Sequence, residues 1–182
     1  MDIKYHIETA WKHCISNIPS LILLTLVVAA VSIVSIGILA PVAFAGYTHS
    51  LFLLLKNNRE PKVQDVFSQL KLFVPLFLFG LIVLVITAIG ITLFVLPGLL
   101  FSFIIGYTCL YMIPVMVDKN FGLLDAIKKS ISLVTTTHLK DHIIVFIIFA
   151  ALSTIGGSSI LGFLLLQPFA TLFVLSVYEE IK

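Results

Sequence analysis

The chain has 182 residues, of which 60% are apolar and only 11% charged, with a formal net charge of +2 and a mean hydropathy of +1.17. A soluble globule keeps about a quarter of its residues charged to cover its wet surface, so this composition excludes one and makes lipid the solvent for most of the chain. The small net charge excludes a strongly basic nucleic-acid binder, and the two cysteines, Cys14 and Cys109, are too few for a disulfide scaffold.

Along the chain, the charges are missing from three long runs. No Asp, Glu, Lys or Arg occurs between Lys12 and Lys56, from Leu72 to Val117, or from His142 to Tyr178. A helix crosses a hydrocarbon core of about 30 Å with about 20 residues, so each run has room for two spans. Each run also carries a break near its middle: Gly37 and Pro41, then Pro97-Gly98, then Gly156-Gly157-Ser158-Ser159. Gly and Pro end helices and let the chain turn back. The predicted fold class is therefore all-α, a polytopic transmembrane helical bundle. Its six spans form three helical hairpins, over residues 19–39, 41–56, 72–95, 98–117, 140–156 and 159–178.

The polar segments between the runs have helical periodicity of their own. Ile3, Ile7, Trp11, Ile15 and Ile18 predict an amphipathic helix at the membrane interface. Val63, Val66, Phe67 and Leu70 predict a second, opened by Glu60-Pro61. Leu124, Ile127, Ile131 and Val134 predict a third, capped by Asp118 or Asn120. The whole chain, 1–182, reads as one integral membrane domain. Ala10-Trp11-Lys12-His13-Cys14-Ile15-Ser16 resembles Ala126-Ile127-Lys128-Lys129-Ser130-Ile131-Ser132, and Gly46-Tyr47-Thr48 recurs as Gly106-Tyr107-Thr108. These matches suggest a threefold repeat with units 1–56, 57–117 and 118–182. Two faces of small residues, Gly98/Ser102/Gly106 and Gly122/Ala126/Ser130, allow close helix approach, within the chain or between copies of it. With three hairpins, all eleven Lys and Arg lie on one side of the membrane. The positive-inside bias makes that side, with both termini, cytoplasmic.

Chemistry-bearing residues are sparse, and no catalytic, cofactor-binding or metal residue is predicted. The nine carboxylates are scattered through the polar segments. His138 and His142 share a helix face at a spacing that can hold a metal with Asp141 or Asp118, but a polar collar at the start of the fifth span is the plainer reading. His49 lies inside the second span, as a proton-responsive group or as an interfacial side chain. Gln167, Ser153, Thr154, Ser158, Ser159 and Thr171 gather around the last hairpin, where they can hydrogen-bond helices together. Tyr107 and Tyr111 lie at depth with hydroxyls that need partners.

Leu96-Pro97-Gly98, then Pro114 through Lys119, then Gly122, Asp125-Ala126 and Ser130 form a pattern of its own. With Arg59-Glu60-Pro61 and Tyr178-Glu179-Glu180, it resembles the uncharacterised bacterial inner-membrane proteins of YciC type. It is similar also to the related membrane domain fused to some glycerophosphodiester phosphodiesterases. The resemblance implies a polytopic inner-membrane protein and carries no catalytic residue across. The expected function is that of a non-catalytic membrane protein that organises or contacts lipid or assists a membrane complex, with no cofactor. A small permease for an apolar or lipid-like solute is the alternative. Its partners are expected to be membrane lipids, with a homo-oligomer or another membrane protein open and nucleic acid excluded.

Overall fold

A computed structural model describes residues 2–93, 95–136 and 139–182. Among them every regular element is helical: α1 (Ile3–Ser16), α2 (Ile18–Val34), α3 (Ala40–Asn57), two short 3-10 turns (Val63–Phe67 and Leu70–Leu72), α4 (Phe73–Leu93), α5 (Val95–Thr108), α6 (Met112–Lys119), α7 (Leu123–Thr136), α8 (Leu139–Gly157) and α9 (Ile160–Ile181). The breaks fall where Gly and Pro predict them. Gly37, in the left-handed region at φ 81°, turns the chain from α2 into α3. Pro97 lies in the first turn of α5. Gly157 ends α8, and the Ser159 hydroxyl caps α9 by accepting from the Gly162 N–H at 3.0 Å.

The helices divide into a core and a rim. Ten residues of α3 and eleven of α9 are buried, whereas α4 buries only Leu76. A helix that faces protein can carry polar groups in its middle, and α3 does, with Tyr47, Thr48, His49 and Ser50. Length and hydropathy alone do not confirm the expected count of six spans. Four helical stretches, 63–93, 95–119, 139–157 and 160–181, are long and apolar enough to cross a membrane, or five if α1 and α2 count as one bent span. At 1.5 Å per residue the 17 residues of α2 reach only about 25 Å, and α3 is diluted by its polar centre.

Three details of the elements differ from expectation. The segment 63–72 forms 3-10 turns rather than an amphipathic α-helix, because the buried Asp65 carboxylate accepts from the Lys62 N–H at 3.3 Å and tightens the chain. The predicted span 98–117 lies within the membrane-length stretch 95–119, but its helix is interrupted over 109–111; Pro114 has no N–H to offer the preceding turn. Neither Asp118 nor Asn120 caps α7. Asp118 lies within α6, and Asn120 ends it in the left-handed region at φ 53°.

The small faces serve packing inside the chain. A Cβ at Gly98 would sit 2.5 Å from the Ile91 nitrogen, so only glycine lets α5 lie this close to α4. Gly106 packs beside Phe146 of α8. Ala126 and Ser130 are fully buried, while Gly122 precedes α7 and faces open space.

Candidate functional site

The polar segments, far apart in sequence, meet at one end of the bundle in three hubs. Each hub is built around a buried polar or charged group. In the first, Asp65 accepts from the Ser50 hydroxyl at 2.7 Å and pairs with the Arg59 guanidinium, which pins the 63–67 turn to α3. His49 is here too, its Nδ1 3.2 Å from the Ser68 hydroxyl, so it faces the connecting loop as an interfacial residue does. In the second, His6 of α1 is 1% exposed. Its Nε2 donates to Glu180 at 2.7 Å, because an ionised carboxylate only accepts, and its Nδ1 lies 2.8 Å from the Ser176 hydroxyl. This pair ties the first helix to the last. In the third, Asp118 accepts from the Tyr178 hydroxyl at 3.0 Å, with the ammoniums of Lys182, Lys119 and Lys56 at 3.4, 3.6 and 4.0 Å.

Beneath these hubs lies a buried aromatic–imidazole pair. The Tyr111 hydroxyl is 3.0 Å from His142 Nδ1, and the Tyr111 and Tyr178 rings lie 6.2 Å apart. His142 is therefore a core residue and not part of an exposed collar. His138, its partner in the metal-spacing reading, lies outside the described residues. Among the described residues no three His, Cys, Asp or Glu side chains come together in a way that could hold a metal ion. The Tyr107 hydroxyl finds its partner in the Val134 carbonyl, at 3.0 Å.

The polar residues of the last hairpin do not join helices as expected. Ser158 donates to the Ile155 carbonyl at 2.7 Å and Thr171 to the Gln167 carbonyl at 2.9 Å, each within its own segment. The bridge between helices is made elsewhere, by Ser130 of α7. Its hydroxyl donates to the Thr108 carbonyl at 2.7 Å and accepts from the Tyr111 N–H at 3.1 Å, satisfying both sides of the α5–α6 break. The spacing of Ser130 with Ala126 marks its face as packed but does not name its partner. For His6 a signal did exist: His6, Ala10 and Cys14 form a small and polar stripe opposite the isoleucines.

Two hollows adjoin this framework. A polar one of about 530 Å³ opens between α1, α3 and α9, lined by Tyr5, His6, Thr9, His13, Lys56 and Glu180 among others. Partial burial and the neighbouring Lys12 ammonium hold the His13 imidazole below its ordinary pKa. An apolar hollow of about 260 Å³ lies deeper, at the α5–α6 break.

On the outside, α1 meets α2 at 90°. Its buried stripe is His6, Ala10 and Cys14, and its apolar stripe is turned outward, with Trp11 58% and Ile15 50% exposed. Fold and site together define a helical membrane protein with a perpendicular amphipathic helix at its polar end. No family model, curated protein or solved structure matches the chain.

Proposed function

We propose that this protein is a non-catalytic, multi-pass protein of the inner, cytoplasmic membrane that contacts and organises lipid, alone or in support of a membrane complex. The observation that carries the reading is the geometry of α1. If α2 crosses the membrane, as the six passages proposed below require, a helix set at 90° to it lies in the membrane plane, and its exposed Ile7, Trp11 and Ile15 then enter the acyl boundary while Lys4 and Lys12 stay among headgroups. A soluble partner surface would not require an apolar stripe beside the base of a membrane span. The resemblance to the YciC-type family agrees with this reading.

Trp11 is the chain's only tryptophan, so its fluorescence reports the position of α1 directly. In nanodiscs, lipids brominated near the headgroup are expected to quench it strongly, and lipids brominated at the chain end weakly. Fluorescence unaffected by either lipid would remove the basis for the reading.

We further propose six passages with both termini cytoplasmic. The positive-inside bias supports this, as does the convergence of the charged segments through Lys56–Asp118, His6–Glu180 and Lys71–Asn120. Single cysteines at Lys62, Lys128 and Gly157, in an otherwise cysteine-free chain, test it with an impermeant thiol reagent on intact cells. Gly157 is exposed and has room for a side chain. Only Gly157→Cys is expected to react, and reaction at the Lys128 site without permeabilisation would overturn the topology.

A further inference from the structure

Where α5 gives way to α6 the bundle is not filled. The 260 Å³ hollow there is walled by Phe44 of α3, Phe79 of α4, Ile113 of α6, Phe149 of α8 and Val174 of α9. Its two threonine hydroxyls are already committed to their own helices, Thr48 to the Phe44 carbonyl at 2.8 Å and Thr171 to the Gln167 carbonyl at 2.9 Å. The wall therefore offers no hydroxyl hydrogen to a ligand. Phe79, Ile105, Cys109 and Ile113 are half-buried, so the hollow opens sideways between the rim helices. Those helices present Leu81, Leu84 and Ile104 outward, to the lipid.

An apolar void loses dispersion contacts on every face that has no neighbour. An apolar cavity of about 150 Å³ is enough to take up a benzene-sized ligand while excluding water. A larger one that opens into lipid takes the apolar molecule nearest to it. The charges less than two turns away say which molecule. From Ile113 to Lys119 is six residues of chain, about 9 Å along a helix. There Lys56 and Lys119 stand half-exposed, sharing with Lys182 a single Asp118 whose side chain is 8% exposed. That carboxylate faces inward, leaving the outer sides of both ammoniums open to a phosphate.

We propose that the hollow at the α5–α6 break is a binding site for one acyl chain of a membrane phospholipid, whose phosphate lies against Lys56 and Lys119. The proposal rests on the reading that the chain works in a bilayer, and it adds a defined site to that reading. The break is what creates the site. It removes the side-chain layer that an unbroken helix would have placed there, and Ser130 satisfies the backbone groups so exposed.

The test uses the full chain in nanodiscs containing a phospholipid with a photoactivatable group at the end of one acyl chain, followed by peptide mapping of the crosslinks. Thr48 and Thr171 are 2% and 5% exposed, out of reach of bulk lipid. Crosslinks on 45–48 and 171–175, all buried, are therefore expected from an inserted chain alone, beside ordinary crosslinks on the outer face of α4. Cys109→Phe, which fills the hollow, should lower the inner crosslinks about ten-fold and spare the outer ones. Lys56→Ala with Lys119→Ala should lower the inner crosslinks by a similar factor. Inner crosslinks that are absent from the wild-type chain would overturn the proposal, whatever the variants do. Inner crosslinks abolished equally by unlabelled palmitate and by unlabelled phospholipid would assign the site to a free fatty acid and overturn the phosphate contact. Outer crosslinks and Trp11 quenching without inner crosslinks would remove this site and leave the wider reading standing.

Discussion

Gly46→Ala is expected to be among the most damaging single substitutions in the bundle. A Cβ at this position of α3 would lie 2.2 Å from the Val66 carbonyl oxygen and 2.5 Å from that of Asp65. Both obstacles are backbone, so no rotamer change relieves them, and the 63–67 turn must move away from α3. Moving it stretches the Ser50–Asp65 and His49–Ser68 hydrogen bonds, now 2.7 and 3.2 Å. Overpacking where side chains can adjust costs about 1–3 kcal/mol, and a clash with fixed backbone falls at the upper end or beyond. Gly80→Ala is the matched control. Its Cβ would meet only Pro41 Cγ, at an ordinary 3.9 Å, and alanine improves helix propensity by about 1 kcal/mol. Thermal unfolding in detergent should show a large loss for Gly46→Ala and none for Gly80→Ala. Equal melting temperatures would show that α3 and the turn are not in contact.

What the sequence made legible is what depends on local chemistry. The three reversals at Gly37, Pro97 and Gly157 could be read because Gly and Pro act on the backbone at their own positions. The long charge-free runs could be read because lipid penalises each charge independently of fold. Residues whose role depends on a remote partner could not. Asp65 looks like one polar residue in a polar segment, yet Ser50 and Arg59 turn it inward and convert the expected α-helix into 3-10 turns. His142 sits beside Asp141 in sequence, and nothing local announces its contact with Tyr111, 31 residues away. The same holds for α3. Hydropathy scores its centre as poorly suited to lipid, and only tertiary packing shows that the centre faces protein. On α1, periodicity identified the isoleucine stripe, but not whether it faced the bundle or the acyl chains. The isoleucine stripe faces outward because α9 offers Ser176 and Glu180 to the opposite face.

The seam between α7 and the α5–α6 break should respond very differently to two leucines placed two residues apart. Ala126 is fully buried on the face that carries Ser130, while Lys128 is exposed. A leucine at 126 has no room and must push α7 outward. The Ser130 hydroxyl moves with it, away from the Thr108 carbonyl and the Tyr111 N–H it now holds at 2.7 and 3.1 Å. Tyr111 is fully buried, so water is not at hand to replace the lost partner, and a buried group left unpaired costs about 1–3 kcal/mol on top of a similar overpacking term. Lys128→Leu touches no packed neighbour and should stay within about 0.5 kcal/mol of wild type. Ser130→Ala separates the two contributions, since it removes the hydroxyl without adding bulk, and its loss should fall between those of the two leucine variants. Unfolding in detergent, followed by the near-ultraviolet signal of the buried tyrosines, gives all three values. A Ser130→Ala variant as stable as wild type would mean that the break holds itself together without α7, and the hollow beside it would then owe nothing to that serine.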